Sequence, residues 1–74
     1  MNNQVDKKAQ IETSFGLHSV TNEQVDKMQK IRDKAKEFAY LIVELSPVTR
    51  EQSIALTELE TAVFYANAAI ARNE

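Results

Sequence analysis

A chain of 74 residues has room for one domain, and at that size only about 60% of the unfolded surface is buried on folding. Small proteins therefore usually add disulfides, a metal or self-association. With no cysteine and a single histidine, His18, disulfides, iron–sulfur clusters and the commonest zinc sites drop out, and self-association is left.

The net charge is −2, with acids and bases interspersed. A duplex DNA or RNA partner calls for a basic excess on one face, so none is expected. A small anionic ligand stays open, because a few well-placed arginines can hold a phosphate. The opening MNNQVDKKAQ lacks the apolar core of a signal peptide. The longest near-apolar run, Phe38 to Val43, is far too short for a bilayer. Together with the missing cysteines, which suit a reducing compartment, this reads as a soluble intracellular protein with no membrane partner.

In chain order, residues 1–14 are polar without a clear period and are expected as a loose N-terminal arm. The segment from Ser14 to Val20 holds the only glycine, Gly16, and is expected as an ordered loop. It opens the hairpin domain, residues 15–74.

Thr21 then reads as a helix N-cap, with Gln24 completing a capping box. Val25, Met28, Ile31, Ala35, Phe38, Ala39, Ile42 and Leu45 follow at steps of mostly three and four, one face of a helix over about 22–45. Pro47 ends it, since the residue before a proline avoids helical dihedrals.

Thr49 and Gln52 repeat the capping-box pattern. From Arg50 to Asn73 there is neither glycine nor proline, which predicts a second helix over about 50–73. Two helices of equal length, each about 36 Å at 1.5 Å per residue, joined by a short turn, pair antiparallel. The fold class is all-α: an antiparallel two-helix hairpin with an N-terminal arm.

Near the hairpin's middle the apolar surface is too wide. Phe38 to Val43 covers nearly every side of the first helix, and Ala62 to Ala66 does the same on the second. A hairpin hides only one stripe per helix. The surplus is expected to meet another copy, giving a compact homo-oligomer.

Catalysis finds little footing. One histidine and no cysteine leave serine and threonine without an activating partner. Glu58 and Glu60, two residues apart on a helix, point in different directions. No glycine-rich phosphate loop and no metal-ligand spacing occur. The chain is read as a non-enzyme without cofactor or metal.

Binding candidates are cations and polar groups in unusual places. Arg32 sits at the edge of the apolar face, where its stem packs while its head stays free to bond. Lys36 lies one turn further on. Arg50 stands in the first turn of the second helix, where the dipole disfavours a cation, which points to an anion or carboxylate partner. Asn67 lies in an alanine-rich stretch where an amide needs a partner, either across an oligomer interface or on a ligand. Phe15, Leu17 and His18 precede the first helix and can lie over a pocket.

The stretches IRDKAKEFAYLI (31–42) and TREQSIALTELETAVFYANAAIARNE (49–74) resemble a helical hairpin shared by two phage anti-defence proteins. One is the anti-CBASS sponge, which sequesters cyclic oligonucleotides. The other is the anti-Thoeris sponge, a longer chain that sequesters a cyclic ADP-ribose derivative. The resemblance covers roughly residues 18–74, and the length here is closer to the anti-CBASS type. It implies a hexamer in the cytoplasm of the infected bacterium, with pockets between protomers for cyclic dinucleotides such as cyclic GMP–AMP. Separate arginine-lined pockets would serve cyclic trinucleotides, and the messenger would be bound without cleavage.

By position, Arg32 corresponds to the basic residue after the isoleucine in the family's first helix. Arg50 corresponds to its arginine after the turn, and Asn67 to its polar residue among alanines. The family's base-stacking residue precedes the first helix. Relatives commonly place tyrosine there before histidine, whereas this chain has Leu17 before His18. Leucine covers a base without aromatic stacking, a difference on the order of 1 kcal/mol. Phe15 substitutes if the loop turns it inward.

Two other readings stand beside this one. A structural or protein-interaction hairpin without a small ligand accounts equally for the wide apolar surface. A nucleic-acid-binding regulator is opposed by the acidic balance and by two long equal helices without a short recognition helix.

Overall fold

The computed structural model describes residues 3–16 and 19–74, and of residues 3–6, 13 and 14 the backbone only. Three helices follow in order: α1 (Asn3–Phe15), α2 (Asn22–Leu45) and α3 (Arg50–Asn73). Among the described residues the main packing between elements is that of α2 against α3, an antiparallel hairpin with the expected boundaries.

The first difference from the sequence reading is α1. A loose arm was expected over residues 1–14, and residues 3–14 of it are helical, the helix running one residue further to Phe15. Lys, Ala, Gln and Glu are good helix formers, and a helix that covers little needs no strong apolar period. It ends where the Gly16 N–H meets the Glu12 carbonyl at 2.9 Å. Gly16 has no positive φ. It is suited to its position because a Cβ there would collide with the Glu12 carbonyl oxygen.

Both hairpin helices start as the capping pattern predicts, but only one box closes. At α2 the Thr21 N–H donates to Gln24 Oε1 at 3.0 Å, and the Gln24 N–H donates to Thr21 Oγ1 at 3.2 Å. At α3 the Gln52 N–H donates to Thr49 Oγ1 at 3.2 Å, whereas the Gln52 side chain goes elsewhere. Its Nε2 donates to the Ser46 carbonyl at 3.0 Å and to Ser46 Oγ at 3.1 Å. Ser46 is the C-cap of α2, where helix carbonyls lack partners, so the amide does more there than at its own helix start.

Gln24 plays the matching part at the other end, with Nε2 reaching the Ile70 carbonyl of α3 at 3.4 Å. Each hairpin helix thus carries a glutamine in its first turn, inside the seam, that clasps the far end of its neighbour. Beside it at the open end, Lys27 Nζ donates to Glu74 Oε1 at 2.9 Å.

Between the clasps the seam repeats at steps of three and four. Met28, Ile31, Ala35, Ala39 and Ile42 of α2 are half-buried, facing Ala55, Leu56, Leu59, Val63, Ala66 and Ile70 of α3. This is coiled-coil spacing. Yet among the described residues no hydrophobic side chain is buried; the buried ones are Gln24, Gln52 and Asn67. Phe38, Tyr40, Leu41, Phe64 and Tyr65 all stand exposed, with Phe64 and Tyr65 in an edge-on ring contact, centroids 5.4 Å apart. The radius of gyration is 16.5 Å, against about 11 Å for a compact globule of this length. One chain is an open plate of helices without a closed core. No described helix is long and apolar enough to cross a membrane.

Candidate ligand-binding site

The larger concavity is a groove of about 880 Å³ between α2 and α3, within the size range of small-molecule sites. Its floor is apolar: Met28, Ala35 and Ala39 from α2, with Leu56, Leu59, Val63, Ala68 and Ala71 from α3. Alanine supplies half of these floor positions, so little side-chain bulk fills the groove. Its polar border holds Arg32 and Lys36 on one side and Thr57, Glu60 and Arg72 on the other, with Asn67 in the floor.

Arg32 and Lys36 are four residues apart, hence one above the other on α2. The clasps pair Gln24 with Ile70 and Ser46 with Gln52, which sets the helix register. That register brings Lys36 level with Glu60, Arg32 with Phe64, and Met28 with Ala68. Among the described residues, neither Arg32, Lys36 nor Arg72 joins an ion pair. Three cations and one carboxylate around an apolar floor leave the groove net positive, suited to an anion with a flat apolar body.

Asn67 is 7% exposed, and its Oδ1 is buried without a hydrogen-bond partner. An orphan acceptor of that kind costs about 1–3 kcal/mol. The amide that the sequence singled out therefore sits in the seam with an orphan acceptor.

The candidates from sequence are thus divided. Arg32, Lys36 and Asn67 share the groove. Arg50 lines neither concavity; it is 17 residues from Asn67 on α3, roughly 26 Å along the axis. Within one chain it cannot serve the same ligand. Phe15 ends α1 and is 84% exposed. Leu17 and His18 lie outside the described residues. Arg72, Glu60 and Thr57 were missed by sequence reasoning. Tracing the i, i+4 ridge from Glu60 through Phe64 and Ala68 to Arg72 would have found two of them.

A second, smaller concavity of about 510 Å³ lies at the turn, a cup formed by Phe38, Leu41, Ile42, Leu45, Pro47 and Ala55 with Glu51 at its edge. Ser46, Thr49 and Gln52 complete its lining, whose surface is mostly apolar.

A family model described as "Acb2/Tad1, hairpin domain" matches residues 7–71. The match takes in all of α2, nearly all of α3 and more than half of α1. No curated protein and no solved structure matches the chain.

Proposed function

The chain belongs to the Acb2/Tad1 hairpin-domain family, and from that premise we propose that it is a phage anti-defence sponge of the anti-CBASS type. It binds cyclic dinucleotide, and also cyclic trinucleotide, immune messengers in the infected bacterial cytoplasm and holds them uncleaved. The observation that carries this reading is the groove, an apolar floor of nucleotide size bordered by Arg32, Lys36 and Arg72, which join no ion pair among the described residues. Bases lie on the floor and phosphates meet the guanidinium and ammonium heads, whose charge-assisted bonds are the strong ones. Asn67 is assigned to the ligand's polar edge, and Leu17 with His18 to its cover.

Sequestration is stoichiometric, so it needs affinity rather than turnover: a 1 nM site stores about 12 kcal/mol. An open groove on one chain is a poor container for such a ligand. A neighbouring copy supplies the missing wall, and the uncovered apolar faces supply the drive to assemble. The resemblance puts that assembly at six chains. Arg50, remote from Arg32 in one chain, belongs in this reading to a different pocket, formed where several chains meet and suited to the trinucleotide.

The alternative is a structural or interaction hairpin without a small ligand, for which the exposed apolar faces argue equally. Charge removal separates the two. In the sponge, Arg32→Ala weakens cyclic GMP–AMP binding by roughly 10- to 100-fold, while Arg50→Ala leaves it unchanged and weakens cyclic tri-AMP. Titration calorimetry reads both. Equal binding of cyclic GMP–AMP by wild type and Arg32→Ala would remove the groove from the reading.

A further inference from the structure

We propose, resting on the sponge reading above, that Phe64 is the groove's stacking platform: a base of the messenger lies on its ring, and the phosphate beside that base goes to Arg32.

Phe64 is the one aromatic among the described residues that line the groove, and it is 62% exposed. Its ring contact is with Tyr65, edge to face, at an interplanar angle of 84°. In such a pair one ring gives an edge and the other a single face. Phe64 therefore keeps at least one face free, whichever part it plays. Free aromatic faces in a positive groove are how proteins hold unpaired bases, because every base has a π-face to stack. Ala68, one turn further on the same ridge, keeps the floor beside the ring low.

The charges select this part of the groove. Its one carboxylate, Glu60, is level with Lys36 in the register that the clasps set. Arg32 is level with Phe64 instead, and it joins no ion pair among the described residues. Packed helix axes are about 8–10 Å apart, so a base on the Phe64 ring leaves its own phosphate facing Arg32 across the groove. Arg72 lies eight residues beyond Phe64, about 12 Å along the axis, and serves the far half of the ligand. From Phe64 to the open end the border is positive without a carboxylate until Glu74.

The chain has no tryptophan, so Phe64→Trp places a single indole at the platform of the full chain. Phe64→Leu keeps the position apolar and removes the ring. Calorimetry measures cyclic GMP–AMP binding by wild type and both variants, emission follows Phe64→Trp, and light scattering gives each mass. The expected result is roughly 5- to 100-fold weaker binding by Phe64→Leu. Phe64→Trp is expected to keep near wild-type affinity, with emission quenched saturably by the stacked base. Wild-type affinity in Phe64→Leu, or full emission from Phe64→Trp at saturating ligand, overturns the platform and leaves the sponge reading standing. Binding and assembled mass lost together in Phe64→Leu, with Phe64→Trp unquenched, assign the ring to a contact between copies and overturn the platform as well. Should Phe64→Leu fail to fold, the emission of Phe64→Trp decides alone. Wild type that binds neither cyclic GMP–AMP nor cyclic tri-AMP overturns both the platform and the sponge.

Discussion

Two glutamines determine how the hairpin closes. Gln24 and Gln52 are buried and bond the partner helix at opposite ends. Removing either side chain leaves a terminal carbonyl without its donor. Gln52→Ala and Gln24→Ala are each expected to cost about 1–2 kcal/mol, read as a lower urea midpoint at fixed protein concentration. Asn67 is the opposite case. Its buried Oδ1 lacks a partner, so Asn67→Leu is expected to raise the hairpin's stability by about 1 kcal/mol while weakening messenger binding at least roughly tenfold. A variant that gained stability and kept full binding would assign Asn67 to neither task.

Lys27 adds a pH dependence at the open end. The hydrogen bond from its ammonium to Glu74, and then the charge of Glu74, hold the lysine above its usual 10.5. A raised lysine pKa stabilises the fold fully below the unfolded value, and the contribution is lost as pH rises through the folded one. The difference in urea midpoint between wild type and Lys27→Met is therefore expected at pH 8 and absent once Lys27 is deprotonated.

At the scale of elements, α2 and α3 were legible to the residue because their signals are local. Thr21 and Thr49 cap, Pro47 stops, and the apolar steps of three and four persist between them. The fate of the Gln52 side chain was not legible, because its partner Ser46 belongs to the other helix and a capping-box pattern reads only along one chain. α1 was missed for a related reason: it folds on propensity and covers little, so no apolar period marks it. Within the site, Arg32, Lys36 and Asn67 announced themselves as polar groups on apolar faces. Arg72 did not, because it lies near the end of α3 and joins the groove only once the register is known. Arg50 was grouped with Arg32 from sequence, and the register, which sets Arg32 level with Phe64, separates them by roughly 21 Å along the axis.

At the scale of the molecule the notable fact is the missing core. Among the described residues no hydrophobic side chain is buried, and the chain is half again as extended as a globule of its length. Covering half a dozen of its exposed large side chains contributes roughly 10 kcal/mol, on the scale of the 4–15 kcal/mol that association costs. In the proposed assembly folding and association are linked, and the melting temperature is expected to rise with protein concentration. A concentration-independent melt would mean that the open hairpin stands alone.

The central claim is capture without conversion. Isothermal titration of the full chain with cyclic GMP–AMP and with cyclic tri-AMP, followed by chromatography of the ligand released on denaturation, tests it directly. Tight, saturable binding with the messenger recovered intact is the expected result. Absence of binding to both would contradict the sponge, and recovery of a cleaved product would contradict the non-enzymatic mechanism.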